Sequence, residues 1–304
     1  MMHRKNFLNL DNVHLNAVNN AVNGAIDSVR RSHVSGLLLG VFGLTAIALT
    51  GCITTVNKPS SMMTAAQTPA NPTAAAQART GLAASFIQSG DLDAAQRTLA
   101  KALESDPRSP EANNMMGVLL QRAGGEANQI KAEEYFKKSI SYKSDYASAH
   151  NNYGVFLSTQ KRYQEAYAQF EIAGNQLGYA DRAAALENLG RTALILGKKA
   201  EAQEAFIRAL EINNNSQISR FELAEIMLQQ DRVQTARKLY DEFLKFAGDE
   251  PQSARSLWLG MRIAQKTQDS GRLEFLASRL ELEYPDSQEC QHYHELLKSG
   301  AAWN

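Results

Sequence analysis

Small and bulky residues recur along most of this chain with a long and regular period. One small residue returns every 34 to 37 positions, as Ala83, Gly117, Gly154, Gly190, Ala224 and Gly260. In the first five units a second small residue follows, with a bulkier residue four positions after it: Ala95 and Leu99, Ala132 and Phe136, Ala166 and Phe170, Ala202 and Phe206, Ala236 and Tyr240. A period of about 20 to 50 residues is typical of stacked repeats, so we predict about six similar units.

Helix packing gives a physical reason for this recurrence. Two antiparallel helices approach closely only where one presents Gly or Ala to a bulky side chain of the other. Each pair keeps an apolar face that the next pair buries, so several pairs must stack. The turn signals agree, because Gly90-Asp91, Gly124-Gly125 and Gly197-Lys198 fall between the two predicted helices of a unit, and Pro107 and Pro251 fall between units.

The repeated positions resemble the tetratricopeptide pattern over residues 76 to 285. That resemblance implies an all-α fold, a right-handed superhelical solenoid of about six tetratricopeptide helix-turn-helix repeats plus a C-terminal capping helix. We place the repeat array at residues 76–286, and the capping helix with its tail at residues 287–304. The pattern weakens in the sixth unit, where Arg272 and Arg279 occupy positions at which the repeat pattern expects small residues.

The amino-terminal segment has the order of a secretory signal. Arg30 and Arg31 precede an uncharged, mostly apolar stretch from Val34 to Ala48, and Leu49 to Cys52 follow. The last four residues resemble a bacterial lipobox, which implies cleavage before Cys52 and lipidation of its thiol. Residues 1–51 are then a signal peptide with an atypical N-terminal extension. An uncleaved membrane anchor is the alternative, because the apolar stretch approaches the ~20 residues that span a bilayer.

Residues 52–75 are predicted to be the lipidated Cys52 and a flexible linker. Pro59, Pro69 and Pro72 lie among small polar residues without an apolar period, which is typical of an extended tether. Two or more acyl chains would hold such a protein firmly on a membrane. Ile53 follows the cysteine, and the resemblance to sorted lipoproteins implies the periplasmic face of the outer membrane.

Composition and motifs exclude several classes of function. Lys plus Arg and Asp plus Glu each number 32, so the chain lacks the positive field that nucleic-acid binding needs. The repeat array contains no phosphate-binding loop, metal-ligand spacing or nucleophile motif, so we predict no cofactor, no metal, no small-molecule substrate and no enzymatic activity. On a helix Cys290 and His294 would share a face while His292 points away, so we interpret Cys290 as a partly buried thiol beside surface histidines.

The remaining candidate for function is the groove that the first helices of stacked units leave open to a protein partner. The repeat register predicts that it is lined by Asn114, Val118, Gln121, Arg122, Asn151, Val155, Ser158, Glu187, Arg191, Leu194, Phe221 and Glu225. The set mixes polar and apolar side chains and contains only two cations. It therefore favours a helix or an extended protein segment as the ligand over a clamped C-terminal carboxylate.

The whole layout resembles the type IV pilus biogenesis lipoprotein family of the PilF or PilW type. The resemblance is carried by the lipobox, the tether, the number of repeats, and segments such as Asn151 to Gly154 and Ala166 to Phe170. It implies a pilotin, which binds secretin subunits and promotes their outer-membrane localisation and multimerisation.

Two other classes of function remain open at this point. One is an envelope adaptor that organises peptidoglycan enzymes or outer-membrane protein assembly. The other is a hydrolase, for which Glu187 or Glu225 would have to supply a catalytic carboxylate.

Overall fold

The computed structural model describes residues 71–248 and 250–300, and every regular element within them is an α-helix. The all-α prediction is therefore confirmed. The predicted signal peptide, Cys52 with its lipidation, and the linker up to residue 70 lie outside the described residues.

Thirteen helices follow one another in the described residues. They are α1 Pro72–Ser89, α2 Leu92–Ser105, α3 Pro110–Ala123, α4 Glu126–Tyr142, α5 Ala147–Thr159, α6 Tyr163–Asn175, α7 Arg182–Ile195, α8 Lys199–Ile212, α9 Gln217–Gln229, α10 Val233–Ala247, α11 Ala254–Lys266, α12 Ser270–Glu283 and α13 Gln288–Ser299. Odd-numbered helices up to α11 are the first helices of the six hairpins. The described residues divide into two compact units, 71–152 and 153–300, with the division inside α5.

The first helix begins at Pro72, four residues before the predicted beginning of the array at residue 76. The Asn71 side chain accepts hydrogen bonds from the backbone N–H groups of Thr73 (3.1 Å) and Ala74 (3.4 Å). Proline is well tolerated at the first position of a helix because it has no N–H group there to leave unsatisfied. Pro72, which we interpreted as a linker residue, is thus the start of a capped helix.

Close contacts between a glycine and a ring hold the two helices of several hairpins together. A Cβ atom added at Gly154 would lie 2.7 Å from the ring of Phe170, and one added at Gly190 would lie 2.7 Å from the ring of Phe206. Gly117 would place a Cβ 2.8 Å from the ring of Phe136 in the same way. These distances are shorter than carbon–carbon van der Waals contact, so the hairpins depend on the missing side chain.

The sixth hairpin keeps this packing with a different bulky residue. A Cβ atom at Gly260 would lie 2.9 Å from Leu276 of α12 and 2.5 Å from the Tyr240 hydroxyl oxygen of α10. Arg272, whose position carries alanine in the other hairpins, donates to Asp241 Oδ1 at 2.8 Å, and its guanidinium lies 5.5 Å from the centroid of the Tyr240 ring. The sequence pattern is weak in this unit because arginine stands at positions 272 and 279, whereas leucine at the bulky position also occurs in the first unit as Leu99.

The last helix is attached to the repeats through its buried face. Ser287 caps α13 by accepting a hydrogen bond from the backbone N–H of Cys290 at 3.1 Å. Cys290 is buried in a cluster with Leu257, Leu276 and Leu280. Its thiol is therefore fully buried, and not partly buried as we interpreted from the sequence. None of the helices in residues 71–248 and 250–300 has both the length and the apolar character needed to cross a bilayer.

The glycine contact in the fourth hairpin can be tested by adding one methyl group. Gly190→Ala should lower the free energy of unfolding by about 1–3 kcal/mol, because the buried Phe206 ring occupies the space that the Cβ needs. Urea unfolding followed by circular dichroism at 222 nm measures this change. Gly271→Ala is the matched control, since a Cβ at Gly271 of α12 meets no atom within 4 Å. Equal stability of the two variants would contradict the packing described here.

Candidate protein-binding surface

The predicted groove residues of the first compact unit are mostly buried. Asn114, Val118 and Asn151 are buried, Gln121 is half-buried, and only Arg122 is exposed. Asn114 accepts a hydrogen bond from Asn152 Nδ2 at 3.2 Å, which joins α3 to the middle of α5. The prediction that Asn114, Val118 and Asn151 are available to a partner is therefore wrong. These side chains fill space between neighbouring helices.

The second compact unit keeps more of the predicted residues accessible. Val155 and Phe221 are buried, with Phe221 only 8% exposed, and these two predictions are also wrong. Phe221 packs edge-on against Phe243 with ring centroids 5.3 Å apart. The Arg255 guanidinium lies 4.7 Å from the centroid of the Phe221 ring. Five predicted residues remain half-buried. We call them the open face: Ser158, Glu187, Arg191, Leu194 and Glu225.

Glu187 connects the open face of α7 to the beginning of α9. Its Oε1 accepts hydrogen bonds from the hydroxyl groups of Ser216 (2.5 Å) and Ser219 (3.4 Å). Ser216 is also the N-cap of α9, because its Oγ accepts from the backbone N–H of Ser219 at 3.0 Å. Burial raises the pKa of the Glu187 carboxyl, while the Ser216 hydrogen bond and the charge of Arg191 act in the opposite direction.

An ion-pair cluster joins α9 to α11. The Arg255 guanidinium donates to both oxygens of the buried Glu222, at 2.9 and 2.8 Å, and to Glu225 Oε2 at 2.5 Å. Arg262 Nη1 lies 3.8 Å from the other oxygen of Glu225. Burial alone would lower the pKa of Arg255, but the charges and hydrogen bonds of Glu222 and Glu225 raise it.

This cluster fixes Glu225 as part of the structure. Removing one partner from a buried ion pair leaves an uncompensated charge and typically costs about 3–5 kcal/mol. Glu225 is held by two arginines and Glu187 by two hydroxyl groups, so both carboxylates proposed for a hydrolase serve the contacts between hairpins.

Arg191 differs from the other arginines on the first helices of residues 153–300 because it makes no ion pair or hydrogen bond with the described residues. Its Nε is shielded from solvent and has no hydrogen-bond acceptor among the described residues, and the same holds for the Ser158 hydroxyl group. Arg255 and Arg262, in contrast, both face carboxylates. The open face therefore carries a cation and a hydroxyl group whose hydrogen-bonding capacity is not used by the described residues.

The C-terminal histidines and cysteine do not converge. His294 Nε2 lies 3.6 Å from Glu281, whereas the His292 ring packs edge-on against Trp258 with centroids 5.3 Å apart. Burial, together with the charges of Glu281 and Asp286, raises the pKa of the Cys290 thiol. Within residues 71–248 and 250–300, no three His, Cys, Asp or Glu side chains are grouped closely enough to hold a metal ion.

The stacked helical hairpins define the class to which the protein belongs. A model of the tetratricopeptide repeat matches residues 73–127 and 187–251. The fold defines a tetratricopeptide-repeat protein, a class that mediates contacts between proteins.

A more specific relationship extends over most of the chain. This chain is 34% identical over 250 residues to the type IV pilus assembly protein PilF of Pseudomonas aeruginosa. The aligned region covers 82% of this chain and 95% of PilF. The chain belongs to the PilF family of tetratricopeptide-repeat proteins.

Solved structures agree with this assignment. A structure from the functional characterization of Pseudomonas aeruginosa PilF shares 34% identity and a TM-score of 0.68, covering 74% of this chain and 98% of that one. The crystal structure of PilW, described as a widely conserved type IV pilus biogenesis factor, shares 25% identity and a TM-score of 0.59, covering 72% of this chain and 97% of that one.

The buried carboxyl of Glu187 predicts a pH dependence of stability. Its pKa is raised in the folded chain, so the folded chain binds this proton more tightly than the unfolded chain does. The resulting stabilisation is present at low pH and is lost as the pH rises through the folded-state pKa. The free energy of unfolding of the wild type minus that of Glu187→Gln should therefore decrease as the pH rises from about 4 to about 7.

Glu283→Gln is the control for this measurement. A hydrogen bond from Arg279 lowers the pKa of the exposed Glu283 carboxyl, so the corresponding difference should increase over the same pH range. A difference that is flat or increasing for Glu187 would contradict a raised pKa of this carboxyl in the folded chain.

Proposed function

We propose that this chain is a non-enzymatic scaffold for type IV pilus biogenesis. In this role it is a pilotin, which binds secretin subunits and promotes their localisation to the outer membrane and their multimerisation. The observation that carries the proposal is the 34% identity to the type IV pilus assembly protein PilF over 95% of the length of PilF. The similarity to PilW, a type IV pilus biogenesis factor, supports the same role.

The membrane attachment in this proposal rests on the sequence around Cys52. Residues 49–52 have the order of a lipobox, and acyl chains on Cys52 would hold the folded residues near one leaflet. The uncharged Ile53 after the cysteine supports an outer-membrane destination on the periplasmic side. The tether between Cys52 and Asn71 would then set how far the repeats reach from the membrane.

The binding of a partner in this proposal is assigned to the open face. It combines the apolar Leu194 with the polar Ser158 and the charged Arg191, and all three are half-buried in the described chain. A surface of this kind suits a protein segment, because apolar contacts supply affinity while a few fixed polar groups select orientation.

A deletion strain complemented with variants of the chain tests this function. We expect deletion to abolish piliation and to leave the secretin unassembled, and we expect the wild-type chain to restore both. Cys52→Ser should lose incorporation of labelled palmitate and should restore secretin multimers poorly, because the scaffold is no longer held at the membrane. Palmitate labelling and immunoblots of heat-resistant secretin multimers provide the measurements.

Cys290→Ala is the control, since it removes the other cysteine of the chain from the buried cluster on α13. It should keep palmitate labelling. Normal pili together with altered septation or cell shape in the deletion strain would contradict the proposal and favour the envelope adaptor. Palmitate labelling that persists in Cys52→Ser would contradict the assigned anchor.

A further inference from the structure

Each charged side chain on the first helices of residues 153–300 makes an ion pair or a hydrogen bond within the described chain, with one exception. Arg220 contacts Glu242 at 3.2 Å, Arg255 contacts Glu222 and Glu225, and Arg262 lies 3.8 Å from Glu225. Arg182 donates to the backbone carbonyl of Gly174 at 2.8 Å. Arg191 makes no such contact with any described residue, and its Nε is shielded from solvent.

Glu187 lies near enough to Arg191 to act on its charge, but no hydrogen bond joins the two side chains. Glu187 attracts the Arg191 guanidinium electrostatically, but its Oε1 accepts from the hydroxyl groups of Ser216 and Ser219. Arg191 therefore keeps a shielded donor that neither solvent nor the described chain satisfies. The rest of this half-buried side chain also has no acceptor among the described residues, so a ligand that supplies one makes hydrogen bonds that the free chain does not make within itself.

The chemistry of arginine restricts what the acceptor can be. A guanidinium carries only donors, arranged in a planar fork that matches the two oxygens of a carboxylate. Paired in this way, its hydrogen bonds are stronger than those to a neutral carbonyl oxygen. Because Glu187 already weakens the positive field, a distant negative charge gains little, and direct contact with the guanidinium is required.

The neighbouring open-face residues indicate the form of the ligand. Leu194 lies three residues after Arg191 on α7, so the two side chains share one face of that helix. Ser158, on the preceding first helix, has a shielded hydroxyl group without a partner among the described residues. An extended peptide offers these groups an acidic side chain, an apolar side chain and backbone acceptors within a few residues.

We propose that Arg191 anchors an acidic side chain from an extended segment of the protein partner, and that Leu194 and Ser158 contact the residues next to it. The identity of that partner as the secretin rests on the proposed function, whereas the acidic character of the bound segment does not. An acidic side chain is proposed as the ligand because its negative charge complements Arg191, which forms no ion pair with the described residues.

Random peptides displayed on phage test the inference without assuming a partner. Twelve-residue peptides are selected on the full-length purified chain in detergent, and the enriched peptides are synthesised with a fluorescent label for anisotropy titration. We expect an enriched Asp or Glu beside an apolar residue. Replacing that acid with its amide should weaken binding about tenfold, and Arg191→Ala should do the same, because both remove the charge-assisted contact.

Several variants separate a binding role from a structural one. Arg191→Lys keeps the charge but loses the planar fork, so it should bind with intermediate affinity. Ser158→Ala should weaken binding less than Arg191→Ala does. Arg232→Ala is the matched control, since Arg232 is exposed at the turn before α10, and it should leave the affinity unchanged. The amide-substituted peptide needs no protein variant, so its result does not depend on the folding of Arg191→Ala.

The outcomes for the site and for the proposed partner are distinct. The inference is wrong if no peptide is enriched, if the enriched peptides carry no acid, or if Arg191→Ala binds them as well as the wild type does. A chain that is dimeric in solution and becomes monomeric with Arg191→Ala would also overturn it, because a second copy would then be the occupant. If wild type and Arg191→Ala both capture secretin, and if peptide binding does not depend on Arg191, then the proposed site is wrong. The pilotin function would not be contradicted by that result. Binding of acidic peptides that requires Arg191, without capture of secretin, would support the site and refute the partner.

Discussion

A small residue opposite a bulky side chain, a glycine opposite an aromatic ring in three hairpins, is the contact on which the arrangement of the hairpins depends. The Phe170 and Phe206 rings occupy the space that a side chain at Gly154 or Gly190 would fill. This contact sets how closely the two helices of a hairpin approach, and it contributes to their register because the ring lies directly against the glycine. The positions of Arg191 and Leu194 on α7 follow from this register, since both lie on the helix that carries Gly190.

Polar contacts then join one hairpin to the next. Glu187 accepts from the residue that caps α9, and Arg255 of α11 holds two carboxylates of α9. Paired and shielded charges of this kind add direction to the apolar contacts, because they are satisfied in only one arrangement of the helices. The half-buried face of α7 is therefore held in place by contacts within its own hairpin and with the following hairpin. A surface that is preorganised in this way loses little conformational entropy when a partner binds.

The repeat pattern predicted the helices, three of the six hairpin turns and the glycine–ring contacts, because these depend on residues within a single hairpin. It could not predict which first-helix positions are accessible, since that depends on how closely neighbouring hairpins approach. Asn114 and Phe221 occupy predicted groove positions and are nevertheless buried by neighbouring helices. The contacts of Arg255 were missed for the same reason, as its two carboxylate partners are 30 and 33 residues away in the chain. Three turns also lacked a signal, because Lys161, Asp231 and Gln268 adopt the positive φ for which glycine is usually chosen.

The proposed function assigns contact with the secretin to the open face of residues 153–300, and not to the outer surface of the second helices. Site-specific photocrosslinking in living cells tests this claim most directly, with p-benzoylphenylalanine placed at Leu194 on α7 or at Phe275, which is 60% exposed on α12. We expect a crosslinked product that contains the secretin from position 194 and none from position 275. A secretin product from position 275 alone, or from neither position in cells that assemble pili normally, would contradict it.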